Sequence, residues 1–484
     1  MKHLFTRDVT HYKTLFFLYC LLFVIALGAR LFFLYAIDTG FILFKYVVFA
    51  NQVAQGQDLG ERLLDLSPFY LTFMTCIVKI FNPDYVYIKF LQAVVGVMNC
   101  LLIFTIGKKV LTTTAAFIGA LLYALYGNIM ILETTFEPFV FVLLFNLVVV
   151  YCLLNTKGIS VSFLNTAIWS ACAGIFAGVS ILTKPNFLLF LPIAGLWLLL
   201  PFESQSTFWH RCLSSVLFVL VTAVVVSPVT IRNYVKFHDV VLVTADYGKV
   251  FFHGNARTAD GFVSAYLPDQ DVDPTGNDEP DYAHVTFRAA ASQETGRQLR
   301  PSEAARFWFL LTLRDIATRP GEYLLLELKK AHLFFHAYEM HLVGPAFWEY
   351  TMIRTYPFVW YGMISSLALI GMFLTRRQFN RLFLLYGVIV AYFLSNVIFL
   401  VTSRYRGPAV PYLCLFAGYA LHAIIGWAVK KHWKLCVIHL LVFFLLLVVN
   451  SFPYRQRIAA LEKSMRETFA NSVGPRSFEP LDIR

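Results

Sequence analysis

The chain has 484 residues, of which 58% are hydrophobic, 17% aromatic and only 14% charged. Soluble domains carry roughly a quarter charged residues, so this composition, with a mean hydropathy of +0.65, excludes a soluble globular protein. The formal net charge of +11 comes from basic residues scattered among short loops, which favours membrane topology over a nucleic-acid-binding face as their explanation.

Apolar runs of ~18–25 residues, long enough to cross a ~30 Å hydrocarbon core, recur from end to end and predict a polytopic α-helical membrane protein. The basic loops alternate by side, and the positive-inside rule then places the N-terminus in the cytoplasm and the C-terminus outside. We predict about eleven spans, at about 14–37, 85–106, 111–131, 138–155, 166–183, 186–202, 213–230, 356–375, 382–402, 409–429 and 434–451.

Two regions between the spans are predicted to lie outside the membrane. The first, about residues 38–84, contains short amphipathic stretches that predict interfacial helices. The second, 231–350, is the one large polar segment; VVLVTADYGKVFFHGN predicts two strands around a turn, and two helical patterns follow it. The predicted units are therefore an N-terminal membrane module (1–230), a small α+β extracytoplasmic segment (231–350), C-terminal membrane helices (351–452) and an outer tail (453–484).

Charged residues stand at the predicted outer ends of several spans. A charge near hydrocarbon costs a few kcal/mol unless it is paired or hydrated, so such residues are candidates for a functional site. Ordinary interfacial anchoring is the alternative, since lysine and arginine at span ends place their charge in water. The set comprises Asp38, Glu133, Glu137, Lys184, Arg232, Arg404 and Arg406.

A metal site is the other chemistry that the sequence suggests. In HLFFHAYEMH, His332 and His336 lie four residues apart, and Glu339 or His341 could complete a ligand set. Phe and Leu fill the gaps and no glutamate follows the first histidine, so we predict no metal site there. The eight cysteines form no CxxC pair and indicate neither a disulfide framework nor a thiolate centre.

Cations and carboxylates at one membrane boundary suit a reaction of a lipid-phosphate-linked sugar. Its tail would stay in the bilayer, and arginines would bind its phosphate at the headgroup level. A carboxylate would act as general base on an acceptor hydroxyl, and the cations would stabilise the charge developing on the departing phosphate.

Several motifs, in order along the chain, carry a family resemblance: YVVFANQVAQGQ, SPFY, FLQAVVG, ETTFEPF, GVSILTKPN, PVTIRNYVKFHDVVLVTADYGKVFFHGN, KKAHLFFHAYE and SRYRGPAVP. With them the sequence resembles the GT-C superfamily of membrane glycosyltransferases, in the branch of protein O-mannosyltransferases and the lipid A aminoarabinose transferase. The resemblance implies a catalytic carboxylate after the first span, at Asp38, with Glu61 or Asp65 as substitutes. Some members of the family use a divalent metal and others do not.

The remaining site residues are assigned in two groups. The donor-phosphate ligands are expected among Arg404, Arg406, Lys45, Lys184 and Arg232, and the acceptor or sugar site among Glu133, Glu137, Tyr46 and Asn255. The expected partners are a polyprenyl-phosphate sugar, a lipid, glycan or protein acceptor and membrane lipids, with no nucleic acid.

The leading hypothesis is an inverting, polyprenyl-phosphate-sugar-dependent hexosyl or pentosyl transferase of the bacterial cytoplasmic membrane, active on the extracytoplasmic side. A transporter or flippase for an anionic lipid-linked or sugar-phosphate substrate would use the same cations, but predicts paired half-repeats, and the sequence shows none. A non-enzymatic assembly scaffold would explain the long outer segment and leave the boundary arginines unexplained.

Overall fold

Helices make up the regular structure of the computed structural model, which describes residues 2–36, 45–81, 85–158, 162–202, 207–262, 282–339, 359–461 and 463. The first half contains α1 (Lys2–Ala36), α2 (Lys45–Ala54), α3 (Pro68–Phe81), α4 (Tyr85–Val110), α5 (Thr113–Ala124), α6 (Gly127–Thr134), α7 (Phe139–Leu154), α8 (Phe163–Thr183), α9 (Leu191–Leu199) and α10 (Phe208–Phe237). Short 3-10 helices at Gly60–Leu64 and Pro185–Phe190 lie between them.

The second half contains α11 (Tyr247–Asn255), α12 (Tyr282–Thr295), α13 (Pro301–Thr318), α14 (Pro320–Phe335), α15 (Tyr361–Thr375), α16 (Phe379–Ile398), α17 (Ser403–Arg406), α18 (Val410–Val429) and α19 (Trp433–Ser451). Within the described residues, strand-like pairing is limited to one parallel bridge, Tyr126 with Val359.

Seven helical stretches of the described chain are long and apolar enough to cross a membrane. Four shorter apolar helices, Pro68–Phe81, Thr113–Ala124, Phe139–Leu154 and Pro185–Leu199, lie among them. The predicted all-helical membrane fold is confirmed, and each predicted span overlaps helical structure, although span 111–131 is divided between α5 and α6 and span 186–202 between a 3-10 helix and α9. Eleven crossings remain a prediction, because several of these helices are shorter than the ~20 residues that a spanning helix needs.

Glycine lets the central helices approach closely. A Cβ at Gly119 of α5 would lie 2.7 Å from the carbonyl oxygen of Cys414 in α18, and one at Gly418 would lie 2.4 Å from that of Ala115. Two glycines that face each other in this way bring two backbones into contact, as is common where membrane helices cross. The crossing holds α18, whose N-terminal end continues directly from the SRYRGP segment.

The two ends of the helix bundle differ in their side chains. At one end, Lys109 donates to Asn155 Oδ1 (2.9 Å), Arg381 donates to the carbonyl of Lys109 (3.1 Å), and Lys157 donates to the carbonyl of Leu200 (2.8 Å). These are basic residues that the sequence assigns to one face. The turn before α7, the end of α8 and the end of α16 lie at the opposite end.

The segment after α10 departs from the predicted strands. VVLVTADYGKVFFHGN forms an irregular stretch followed by α11, so the two predicted strands are wrong. The alternation is only a few residues long, and tertiary packing decides such cases: a Cβ at Gly248 would lie 1.8 Å from the carbonyl oxygen of Ala305 in α13. The predicted boundary at residue 230 also falls inside α10.

Candidate functional site

A cavity of about 470 Å³ lies at the end of the bundle opposite the basic loops. Its walls come from the start of α2, the turns before α3 and α7, the end of α8, the loop before α11, the end of α16 and α17. One part of the wall is apolar and includes Leu188, Leu189, Leu242, Val250 and Phe399. The remainder carries Lys45, Lys184, Arg404, Glu137, Asp65 and Asp246. We call this space the first cavity.

Arg404 is held in the wall of the first cavity by Glu137. The two side chains form a hydrogen-bonded ion pair, with 24% of the arginine side chain and 4% of the glutamate side chain exposed. Thr402 begins the short helix α17 by accepting a hydrogen bond from the backbone N–H of Tyr405 (3.1 Å), a standard N-cap. This cap fixes the backbone from which the guanidinium enters the cavity.

Lys184 immediately follows α8, and its Nζ lies 4.3 Å from the ring centroid of Tyr405, which is cation–π distance. Burial lowers the pKa of Lys184 to about 7, and the positive charge of Arg404 adds to the effect. Among the described residues, its ammonium group makes no ion pair. The side chain is therefore poised between its charged and neutral forms near neutral pH.

Lys45 begins α2, and its Nζ lies 5.4 Å from the ring centroid of Tyr46. Burial also lowers the pKa of Lys45, against the raising effect of the Glu137 charge. Within the described part of the chain, this second ammonium group likewise has no carboxylate partner at ion-pair distance. Arg404 is neutralised by Glu137, so Lys45 and Lys184 supply the remaining positive charge of the first cavity.

The first outer loop is fixed to the bundle by backbone-directed hydrogen bonds. The hydroxyl of Tyr46 accepts from the backbone N–H of Ser67 (2.9 Å), and the Ser67 hydroxyl donates to the carbonyl of Leu182 near the end of α8 (3.3 Å). The backbone N–H of Ala245 donates to the carbonyl of Leu64 (2.9 Å). Asp65 lies between these anchor points, so its backbone is held at the cavity wall.

A second cavity, of about 260 Å³, adjoins the first. Asp65 and Asp246 line both. Of the three predicted catalytic carboxylates, Glu61 lines only the second cavity, and Asp38 lies outside the described residues. Asp65 is thus the predicted carboxylate that the structure places where the two cavities meet.

Arg406 lines neither cavity. It is 1% exposed, and its guanidinium donates to the carbonyls of His336 (2.8 Å) and Tyr338 (3.0 Å) and to Glu339 (2.9 Å), and lies 3.6 Å above the ring of Tyr361. These contacts engage both terminal nitrogens of the guanidinium inside the protein. The structure therefore does not bring Arg406 to the position expected of a donor-phosphate ligand.

Three other predicted site residues also lie outside both cavities. Glu133 is buried and paired with Arg30 (2.8 Å). Asn255 is buried and accepts from Lys330 (2.7 Å) while donating to the carbonyls of Phe251 and Ile398. Arg232 donates to its neighbour Asn233 (2.8 Å). The contacts of Glu133 and Asn255 connect helices to one another, whereas Arg232 contacts its neighbour in α10.

Sequence reasoning missed Asp246 and Tyr405 as parts of the cavity wall. Tyr405 lies between the two arginines of SRYRGP. The prediction for this segment rested on the charges of the arginines, and the tyrosine carries none. Asp246 belongs to a segment predicted as strands and turn, so nothing indicated that it would approach Asp65. Among the described residues, no three His, Cys, Asp or Glu side chains come close enough to hold a metal ion, and no step proposed below uses one.

The fold and site define an integral membrane protein with a charged cavity at one end of an apolar helix bundle. A family model described as "Dolichyl-phosphate-mannose-protein mannosyltransferase" matches residues 65–231. This match and the fold similarity below confirm the predicted resemblance to GT-C glycosyltransferases. No curated protein is significantly similar in sequence to this chain.

Solved structures of the oligosaccharyltransferase of Archaeoglobus fulgidus share the fold. The complex of AglB with an inhibitory peptide and a dolichol-phosphate is 13% identical and has a TM-score of 0.51, with 92% of this chain and 56% of that chain covered. The apo form is 12% identical at a TM-score of 0.50, with 92% and 56% covered. A form tethered to an acceptor peptide is 13% identical at 0.50, with 94% and 58% covered. The chain thus spans a little over half of their length.

Proposed function

We propose that this protein is a membrane glycosyltransferase that transfers a sugar from a polyprenyl-phosphate donor to an acceptor hydroxyl on the extracytoplasmic side of the bacterial cytoplasmic membrane. The observation that carries the proposal is the first cavity, in which Lys45, Lys184 and Arg404 accompany an apolar wall. Cations beside an apolar surface match a phosphate with a lipid tail. The names of the family model and of one similar structure mention dolichyl-phosphate-mannose and dolichol-phosphate, which supports the same donor chemistry.

In the proposed reaction, the carboxylate of Asp65 accepts the proton of the acceptor hydroxyl. The acceptor oxygen forms a bond to the anomeric carbon while the bond from that carbon to the phosphate oxygen breaks, with inversion. The bonding electron pair leaves with the lipid phosphate, which gains one negative charge. Lys45, Lys184 and Arg404 stabilise this added charge, and such preorganised groups act most strongly where water is excluded.

The test uses purified protein in nanodiscs with a panel of polyprenyl-phosphate hexoses and pentoses, with and without a membrane extract as acceptor source, and follows release of polyprenyl phosphate by mass spectrometry. We expect release with one donor. Asp65→Asn should lower the rate by roughly 10²–10⁴-fold, the usual contribution of a general base, and leave donor binding unchanged.

Asp58→Asn is the matched control, because Asp58 lies in the same loop with 64% of its side chain exposed and pairs with Lys236. Full activity in Asp65→Asn would remove that residue from the mechanism. Donor binding without release from any member of the panel would contradict the transferase and favour transport.

A further inference from the structure

The second cavity is formed by the 3-10 helix Gly60–Leu64, the start of α11, and helices α12 and α13. Asp65 and Asp246 separate it from the first cavity, since both residues line both spaces. A molecule in the second cavity and a donor in the first would therefore both lie beside the Asp65 carboxylate. An inverting displacement needs the acceptor oxygen to reach the anomeric carbon from the side opposite the departing phosphate oxygen, so the acceptor and the donor phosphate must occupy separate spaces.

The charges around the second cavity are balanced. Three carboxylates, from Glu61, Asp65 and Asp246, stand against three cations, from Arg62, Lys249 and Arg288. Arg288 pairs with Glu61, and Lys249 pairs with Asp246 (2.9 Å). The first cavity has equal numbers of cations and carboxylates as well, but within the described residues its Lys45 and Lys184 have no carboxylate at ion-pair distance, whereas Arg288 and Lys249 are each paired. An anionic ligand in the second cavity would have to separate these pairs and approach the Asp65 carboxylate.

Neutral hydroxyl groups suit such a wall. A carboxylate that already accepts one hydrogen bond has further lone pairs, and a paired guanidinium or ammonium has further N–H donors. A hydroxyl can both donate and accept, so it can bind beside these ion pairs without separating them. The ion pairs would then act as fixed donors and acceptors for the ligand.

Size and the apolar part of the lining restrict the ligand further. The volume of about 260 Å³ lies below the roughly 300–1,000 Å³ of pockets for drug-sized ligands. It therefore suits one ring rather than an extended chain. Ala304 and Ala305 leave room in the wall supplied by α13, and Phe287 and Trp308 add aromatic edges, with Trp308 Nε1 held by the carbonyl of Phe287 (2.8 Å).

From this geometry we propose that the second cavity is the acceptor site and that it takes a neutral sugar unit, whose hydroxyl is deprotonated by Asp65. The inference rests on the proposed function and adds to it the position and the chemical class of the acceptor. Ionic acceptors, such as uronic acids and sugar phosphates, are disfavoured by the paired charges. An acceptor hydroxyl on a peptide is a separate possibility that the experiment distinguishes.

The experiment measures release of polyprenyl phosphate by the full-length protein in nanodiscs, first in buffer alone and then with added acceptor probes. The probes are methyl hexopyranosides and methyl pentopyranosides, the methyl glycoside of glucuronic acid, and a Ser/Thr-containing peptide. Release in buffer alone is hydrolysis, with water in the place of the acceptor, and release with a membrane extract as acceptor source tests the proposed function by itself. We expect at least one neutral methyl glycoside to increase release at least tenfold in a saturable manner and to appear as a disaccharide product.

Two variants locate the effect. Arg288→Gln and Lys249→Gln each remove one cation of the wall, and Arg288 is 39% exposed, so the fold should tolerate its replacement. Each should raise the KM for the neutral glycoside about tenfold or more, and Arg288→Gln, whose partner Glu61 lines only the second cavity, should do so without a change in the donor KM. Glu61→Gln leaves Arg288 without its carboxylate partner and should make the glucuronide a better acceptor.

The inference is overturned if release occurs with donor alone but only the peptide or the glucuronide is glycosylated by the wild-type protein. A rise in donor KM, with no change in acceptor KM, for both Arg288→Gln and Lys249→Gln would overturn it as well. If no condition releases polyprenyl phosphate, the proposed function itself fails, and the acceptor assignment fails with it.

Discussion

Arg404 and Arg406 lie two residues apart on one short helix and face different surroundings. Residues at i and i+2 point to nearly opposite sides of a helix. Arg404 consequently lies in the wall of the first cavity with Glu137, while Arg406 is buried against Glu339 and the ring of Tyr361. The sequence predicted both arginines as phosphate ligands. In the structure, Arg404 lines the first cavity and Arg406 belongs to the packed interior.

This division predicts different defects for the two arginines. Arg404→Ala should raise the donor KM roughly 10- to 100-fold, because a charge-assisted hydrogen bond contributes about 1.5–3 kcal/mol. Arg406→Ala should instead lower the thermal unfolding temperature, since it leaves the buried Glu339 carboxylate without its partner. Donor titrations and unfolding curves of both variants in detergent test this. A normal donor KM for Arg404→Ala would return that residue to the role of interfacial anchor.

The lowered pKa of Lys184 predicts pH-dependent donor binding. Lys184 is protonated below about pH 7 and increasingly neutral above it, whereas a phosphodiester donor keeps one negative charge. Donor affinity should therefore fall above pH 7, by up to about tenfold per pH unit for one linked proton. Equilibrium binding measured between pH 6 and 8.5 would show the effect.

Lys184→Arg is the matched variant for this measurement, because guanidinium stays charged throughout the range. Its binding should be nearly independent of pH. The same pH dependence in Lys184→Arg and the wild type would assign the titration to another group.

For the ion pair between Arg30 and Glu133, we expect that the stability lost by replacing one partner is recovered when the other partner is replaced as well. Both side chains are fully buried, and Tyr123 donates a further hydrogen bond to the carboxylate (3.0 Å). Arg30→Met should destabilise the protein by roughly 3–5 kcal/mol, the usual cost of leaving one buried partner unpaired. Arg30→Met with Glu133→Met should recover most of that stability and retain activity, because neither residue lines a cavity.

Unfolding measurements on the single and double variants decide this. Lost activity in a stable double variant would show that Glu133 takes part in the reaction after all.

We expect Gln92 to hold the turn that carries Glu137 in position. Its amide donates to the carbonyls of Glu133 (2.7 Å) and Thr135 (2.8 Å) and accepts from the Tyr70 hydroxyl (2.7 Å). Gln92→Met removes the amide donor from both carbonyls, although that of Thr135 still accepts from the backbone N–H of Glu137 (2.8 Å), and it should destabilise the protein by about 1–3 kcal/mol. The donor KM should rise with it, because the Arg404–Glu137 pair loses its backbone support.

Tyr70→Phe serves as the control, since it removes one hydrogen bond from the same network and leaves the turn bonded. Its donor KM should stay within about threefold of the wild type, on the order of the ~0.5–1.5 kcal/mol that one hydrogen bond contributes. Equal defects in the two variants would contradict a specific role for Gln92.

The sequence predicted the elements of the fold well and the contacts between them poorly. Span length and hydropathy identify membrane helices directly, so the predicted spans overlap helices, two of them with a break inside the span. The two predicted strands are wrong because an alternation of only a few residues is a weak signal for a strand. The packing of Gly248 against α13 has more influence on the local structure. Partners such as Arg30 with Glu133 or Arg404 with Glu137 lie 103 and 267 residues apart, and no local pattern indicates which buried charges will meet.

The same reason explains the mixed outcome for the candidate site. Lys45, Tyr46, Asp65, Glu137, Lys184 and Arg404 converge on the first cavity, because each lies at the end of a helix and the ends of neighbouring helices lie together. Asp38 lies outside the described residues and remains a prediction from the resemblance. Helix ends can be predicted from hydropathy, whereas the direction of a side chain at that end depends on packing.

The glycine contact between α5 and α18 has a consequence for how this protein varies in evolution. Gly119 and Gly418 leave no room for a methyl group at the crossing, and α18 continues from the segment that carries Arg404. Even an alanine there would shift α18 and, with it, the preceding segment that carries Arg404. Inheritance of these two glycines should therefore be as strict as that of the charged residues, although neither ever touches a substrate.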